Sequence, residues 1–442
     1  MYKIVFSCIC ITFLWSCKME KKENLALIKD ANIYHESVKA VSDVIVHDIF
    51  SPPVASRIYA YTCIGGYEVM RQSDPKYPSL AGAIKHMPPI PPCDPAHQCN
   101  YEMASALTLL NIGKTLIFSE DSIQVQIDKV IKYYNESGIS DEMFENSISY
   151  ADTVAAHILK WSSDDLYKQT RSYPKYSIQK DPSTWRPTPP GYMDGIEPSW
   201  HLIRTMLMDS AAQYKPAPPT TYDVKDKNSL YFRETMEVYT KVKEATEEEI
   251  EIANFWDCNP YKLNVSGHVM HATKKISPGG HWINIVGLTC KKSNSSTIVS
   301  AHAYAMVSVG LFDAFISCWD EKYRSNAIRP ETVINEHIDP EWLPILQTPP
   351  FPEYTSGHSV ASGAASVILT RLFGDNFSFD DDTEVEFGLP VRSFNSFTQA
   401  ADEAAISRMY GGIHFMPAIT NGLAQGRSVG QLVLTKLLDK SR

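Results

Sequence analysis

TSGHSVASGAASVILTRLF, residues 355–373, opens on a turn-forming Thr-Ser-Gly-His and continues as small and apolar residues at helical spacing. Thr355 or Ser356 suits the N-cap of such a helix, so free backbone N–H groups and the positive end of the helix dipole face whatever binds there. Gly357 keeps the backbone bare at that point, where a side chain would hold an anion away. Upstream, Lys322-Tyr-Arg-Ser-Asn-Ala-Ile-Arg329-Pro330 sets two cations seven residues apart, just before a proline suited to the first turn of a new helix. On one straight helix they would be separated by roughly 10 Å, within reach of a shared small ion if the chain bends at Pro330. Arg329 offers a planar fork for two oxygens and Lys322 a compact point charge. Downstream, Ser407-Arg408-Met-Tyr-Gly411-Gly412-Ile-His414 ends a helix at its glycine pair, letting the chain turn back so that Arg408 and His414 approach one ion from different sides.

The remainder of the chain carries the same helical signal. Apolar stripes predict helices over residues 32–50, 54–71, 102–118, 121–137, 141–161, 229–254, 281–291, 296–320, 359–373, 396–410 and 419–438, and strand-like alternation is scarce. The expected fold class is all-α, helix packed on helix. Residues 173–227, rich in Pro, Tyr and Trp, read as a long ordered loop wrapped on the surface. This divides the chain into an N-terminal helical half (24–172), the connecting loop (173–227) and a C-terminal catalytic half (228–442).

Taken together, the three segments resemble the shared signature of the vanadium-dependent haloperoxidases and the type 2 phosphatidic acid phosphatase superfamily: Lys, six residues, Arg-Pro, then Pro-Ser-Gly-His, then Ser-Arg, five residues, His. The match covers roughly the last third of the chain, in correct order. The resemblance implies helical bundles of the vanadium haloperoxidase type and a vanadate cofactor bonded to His414. Lys322, Arg329, Ser356, Gly357 and Arg408 would hold its oxygens, and His358 would be the acid–base group. An aromatic residue at the position of Phe351 lies near the halide pocket in such enzymes, and Tyr261 and Trp256 are candidates to complete an aromatic wall, with core packing the favoured place for Trp256. The implied partners are hydrogen peroxide and halide, iodide or bromide, with a small organic acceptor.

Two positions depart from the signature: Thr355 replaces the proline, and Ala418 stands where phosphatases of this group commonly have an aspartate orienting the histidine. A capping threonine is a mild change. The missing aspartate counts against the alternative reading, an exported acid phosphatase acting through a phospho-His414 intermediate. A third reading, a phosphate-binding lipoprotein, leaves His358 and His414 without a purpose, since binding alone requires neither.

The N-terminus reads separately. An apolar run over residues 4–15 precedes Ser16-Cys17 and a polar stretch, too short for the about 20 residues of a bilayer span. It resembles a bacterial lipoprotein signal, with residues 1–16 removed and Cys17 lipidated, which implies an exported protein, periplasmic or attached to the outer membrane. No other segment reads as a membrane span. A formal charge of −10 argues against nucleic acid as a partner, so a local cluster of cations points to a small anion. Cys93 and Cys99 are spaced to close a small disulfide loop in an oxidising compartment, and the remaining cysteines read as buried thiols. His268-x-x-His271 lacks the helical spacing and glutamate of a zinc protease site.

Overall fold

In the computed structural model of the chain, residues 23–439 are described apart from 97, 267, 268 and 273. The expected signal segment, Cys17 and His268 therefore lie outside the described residues. The N-terminal helices are α1 (Leu25–Ile28), α2 (Asn32–His47), α3 (Pro52–Met70), α4 (Tyr101–Leu116), α5 (Glu120–Glu136), α6 (Asp141–Ser162) and the single turn α7 (Tyr167–Thr170). After the long connection come α8 (Leu230–Lys243), α9 (Glu247–Phe255), α10 (Pro278–Lys292), α11 (Thr297–Ser325), α12 (Pro330–His337), α13 (Gly357–Phe373), α14 (Phe397–Tyr410) and α15 (Met416–Val433), which ends in a π-helical turn. Two short antiparallel hairpins interrupt them: β1 (Leu263–Ser266) with β2 (Val269–Ala272), and β3 (Phe379–Asp381) with β4 (Arg392–Phe394).

Most helices begin where the sequence supplies a cap. Ser51 accepts from the Val54 amide with Pro52 in the first turn of α3, and Ser140 accepts from Met143 at the start of α6. The helix expected over 229–254 is broken in two. Thr246 and Glu249 form a reciprocal capping box, each side chain accepting from the other's backbone N–H, which starts α9 after α8 has ended at Lys243. The apolar stripe runs on through this break, so periodicity alone did not expose it.

α11 is the axis of the fold. It is long and apolar enough to cross a bilayer, yet 83% of its most apolar window is buried inside the protein, with α3 on one side and α13 on another. One hydrophobic core runs from the N-terminal helices through α11 to α13 and α15. The helix extends past the expected end at Asp320, which places Lys322 in its last turn; Asn326 (φ 47°) then stops it in the left-handed conformation.

The connecting loop packs against the helices through its aromatic residues. Trp185 and Trp200 are fully enclosed. The Trp185 amide donates to Asn326 and the Ile328 amide to Ser183, so the loop braces the turn between α11 and α12. Further along, Asp313 of α11 accepts from three successive amides, Met206, Leu207 and Met208, at 2.7, 2.8 and 3.0 Å.

α13 and α15 meet along bare backbone. A Cβ at Gly426 would lie 2.1 Å from the Val360 carbonyl oxygen, one at Gly430 2.8 Å from Ala364 O, and one at Gly363 of α13 2.7 Å from Leu423 O. Only glycine permits this approach. The Ser356 amide donates to Ala418 O at 3.0 Å, tying the start of α13 to the first turn of α15.

Among the described residues, the four cysteines outside the Cys93–Cys99 disulfide are buried thiols.

Candidate active site

Three cations are buried around the start of α13. Lys322 donates to the carbonyls of Pro352 and Glu353 at 3.0 and 3.1 Å, which leaves one of its three protons free, and its ammonium lies 4.9 Å from the Phe351 ring centre. Arg329 is the N-cap of α12; its Nε donates to Phe351 O and its Nη1 to Ile413 O and to His414 Nε2 at 3.1 Å. Arg408, in the last turn of α14, donates from Nη1 to Trp256 O at 2.7 Å. Burial lowers the pKa of all three, Lys322 to about 7 and Arg329 to about 10. Such desolvated charge is costly and is relieved by a bound anion.

His414 follows the glycine pair as expected: α14 ends at Tyr410, Gly412 (φ 76°) takes the left-handed turn, and the chain reverses into α15. Its Nδ1 lies 2.8 Å from Glu353 Oε1, which also accepts from the Phe415 amide at 3.0 Å. Guanidinium can only donate, so Nε2 beside Arg329 must be the lone-pair nitrogen and Nδ1 carries the proton given to Glu353. Burial and the surrounding cations hold the His414 pKa well below the usual imidazole range. A neutral imidazole with its lone pair on Nε2 is the form that bonds to an electrophilic centre, which would take the place that the Arg329 guanidinium holds at 3.1 Å.

Glu353 is the residue that sequence reading missed. Ala418 indeed carries no carboxylate, and its backbone oxygen serves Ser356 instead. The orienting acid comes from the other segment, five residues before His358, so the absence at 418 does not weigh against a phosphohistidine mechanism. Burial pushes the Glu353 pKa up to about 7, with Arg329 and Lys322 opposing. The only sequence signal was an acidic residue inside the stretch Phe351-Pro-Glu353-Tyr-Thr, among residues that otherwise become buried.

His358 occupies the first turn of α13 beside Arg408, and burial followed by that guanidinium lowers its pKa well below the ordinary value. Ser356 is the N-cap, accepting from the Ser359 amide at 3.3 Å. At Gly357 a Cβ would meet nothing but the Trp319 ring, at an ordinary 3.7 Å, so the fold itself does not demand glycine.

A cavity of about 30 Å³ is lined by Gly357, His358, Arg408 and His414 on its polar side and by Tyr261, Trp319 and Phe351 on its apolar side. Lys322, Arg329 and Ser356 stand behind this lining. Trp256 does not join the aromatic wall; it stacks on His281 and Trp282 in the core, and Trp319 takes that place. Three enclosed nitrogens around the cavity, Arg329 Nη2, Arg408 Nε and His358 Nε2, have no hydrogen-bond partner among the described residues. Leaving a buried donor unpaired costs about 1–3 kcal/mol, more when it is charged. Arg329 Nη2 and Arg408 Nε are such donors, and a tetrahedral or trigonal-bipyramidal oxyanion supplies their acceptors, so these residues fit vanadate or phosphate; His358 Nε2 is placed to exchange a proton with it.

Comparisons with known proteins agree with this geometry. Residues 302–441 match the model of the VCPO second helical-bundle domain. Over 94% of its length the chain is similar to a solved bacterial vanadium-dependent iodoperoxidase, at 50% identity, 98% coverage of that protein and a TM-score of 0.89. A holo-type bacterial vanadium-dependent chloroperoxidase shares the fold, with a TM-score of 0.65 at 15% identity over 95% of this chain and 97% of the other. The vanadium chloroperoxidase of Curvularia inaequalis is 29% identical over 166 residues, 26% of this chain and 27% of that protein, so the match spans about a quarter of that relative's length.

Proposed function

The chain belongs to the vanadium-dependent haloperoxidases, and we propose on that premise that it carries vanadate on His414 and oxidises iodide or bromide with hydrogen peroxide to the hypohalous acid. The observation that carries this reading is the meeting of His358, Arg408 and His414 on one small cavity beside guanidinium donors that have no hydrogen-bond partner among the described residues. Iodide is the better-supported halide, because the likeness to an iodoperoxidase extends over nearly the whole chain. The apolar face formed by Phe351, Tyr261 and Trp319 favours the same choice, since the larger halide gives up its water most cheaply. A small organic acceptor would consume the product, and the exported, lipid-anchored location expected from residues 1–17 is part of the same proposal.

Vanadate, when bound, supplies a Lewis-acid centre that makes a peroxide oxygen electrophilic. The chain does the rest. Glu353 holds Nδ1–H of His414 and so keeps the lone pair on Nε2, the nitrogen that accepts from Arg329 until an oxyanion takes the guanidinium's place. Arg329 and Arg408 offer fixed guanidinium donors to the oxyanion, and Lys322 offers its remaining proton. His358, beside Arg408 on the cavity, would take up and return a proton at Nε2 as the acid–base group. Phe351, Tyr261 and Trp319 shield the halide's approach from bulk water.

The Glu353 contact also favours a second reading, a phosphatase in which His414 attacks phosphorus and His358 protonates the leaving group. Purified protein assayed with and without orthovanadate separates the two. Halide oxidation by peroxide that depends on vanadate, lost in His414→Ala and His358→Ala, is the expected result. Hydrolysis of a phosphomonoester without vanadate, together with no halide oxidation in its presence, would replace the first reading by the second.

A further inference from the structure

Behind the apolar wall, His281 of α10 sits fully enclosed against an unusual set of partners. Its Nδ1 lies 3.5 Å from Cys258 Sγ and 3.1 Å from Glu384 Oε1, and Cys258 Sγ lies 3.9 Å from that same carboxylate oxygen. Its Nε2 lies 2.8 Å from Asp381 Oδ2 and 2.7 Å from the Thr383 hydroxyl, which itself donates to Asp381 Oδ1. Trp256 stacks on the ring at 4.6 Å.

We propose that Cys258, His281 and Glu384 form a site for a divalent transition-metal ion of zinc type, with Asp381 orienting His281 from its other nitrogen. This inference rests on no part of the oxyanion reading. Thiolate, imidazole and carboxylate are the ligand set such an ion takes, and the three atoms converge within 4.8 Å of one another. A tetrahedral ion with bonds of about 2.3 Å to sulfur and about 2.0–2.1 Å to nitrogen and oxygen holds S and N about 3.5 Å apart, N and O about 3.4 Å, and S and O about 3.6 Å. The observed 3.5, 3.1 and 3.9 Å bracket those edges. The Asp381 contact on the opposite nitrogen is the partner that metal-bound imidazoles characteristically have, because it fixes the ring and its tautomer.

In a hydrogen-bond network the Cys258 thiol and the imidazole Nδ1–H both donate to Glu384 Oε1, at 3.9 and 3.1 Å; the same three atoms stand at the corners of a coordination triangle that one ion would fill. The ion would bind α10, the segment after β3, and the stretch after α9 that supplies Trp256 O to Arg408 and Tyr261 to the cavity. It would thus hold one wall of the oxyanion site in place.

The full-length protein, stripped with a chelator and kept in vanadate-free buffer, is titrated with Co²⁺ alone and then with Zn²⁺. The expected result is one Co²⁺ per chain with a cysteinate-to-cobalt charge-transfer absorption, displaced by Zn²⁺, and a higher Tm with either ion. Cys258→Ser should abolish the absorption and Cys290→Ser, a buried thiol elsewhere on α10, should keep it. Glu384→Gln, which preserves shape, should weaken binding at least tenfold and serves if Cys258→Ser does not fold. Folded wild-type protein that retains no Co²⁺, or an absorption that survives loss of Cys258, overturns the assignment.

Discussion

Glu353 provides the sharpest test of how the histidine is held. Two effects oppose each other when it is replaced: loss of the acceptor for Nδ1–H frees the ring and leaves a buried donor unpaired, whereas loss of a negative charge near the cavity favours an anion. The second is not small, since unit charges about 7 Å apart interact by about 2.4 kcal/mol at an effective dielectric of about 20. Comparing Glu353→Ala with Glu353→Gln removes the charge from both variants and leaves the acceptor as the difference. An unpaired buried donor costs about 1–3 kcal/mol, so the alanine variant should bind orthovanadate about 5- to 150-fold more weakly than the glutamine variant. Equilibrium dialysis of the vanadate-free proteins, with thermal unfolding to confirm that both remain folded, measures the ratio. Equal affinities would show that Glu353 does not hold His414 in its binding tautomer, and the account of the lone pair on Nε2 would fail.

Oxyanion affinity should fall as pH rises through about 7, because Lys322 loses its charge there and Glu353 gains one, and both changes repel an anion; phosphate binding measured from about pH 6 to pH 9 checks this, and a flat profile refutes it. For the oxyanion-free protein the sign is also fixed for Lys322: its folded pKa of about 7 lies below the ordinary 10.5, so the unfolded chain holds the extra proton between these values and this group's contribution to stability rises with pH across that window, readable from urea midpoints of wild type against Lys322→Met. Gly426→Ala should destabilise by about 1–3 kcal/mol, since its methyl would meet a backbone carbonyl that cannot move aside, and a Tm within error of wild type would contradict the packing described. Gly357→Ala should change stability by less than about 0.5 kcal/mol while weakening vanadate binding, a split visible by pairing thermal unfolding with dialysis.

Much of the site was legible because its elements announce themselves locally. Ser356-Gly357-His358 begins a helix, Arg329-Pro330 begins another, and Gly411-Gly412 ends a third, so each cation and imidazole sits beside a chain terminus whose geometry follows from residue type. Glu353 was not legible, because nothing local marks a carboxylate as the partner of a histidine 61 residues away. Trp256 could be read either way, as wall or as core, because aromatic character alone does not separate the two; the core, the favoured place, is where it stacks. The Thr246 capping box escaped notice because the charged and apolar periodicity continues in phase on both sides of it. The glycines of α15 were invisible as a set, since their purpose depends on which helix lies opposite.

That last feature sets the tolerance of the whole active centre. Where two helices touch through side chains, rotamers can shuffle and the gap between axes breathes; where they touch through carbonyls and α-carbons, there is nothing left to compress. The start of α13, which presents Ser356 and His358, and the start of α15, which follows His414, are therefore clamped at a hard stop. The enzyme's calibration for its oxyanion is written in atoms left out along Gly363, Gly426 and Gly430 rather than in any group that touches the ligand.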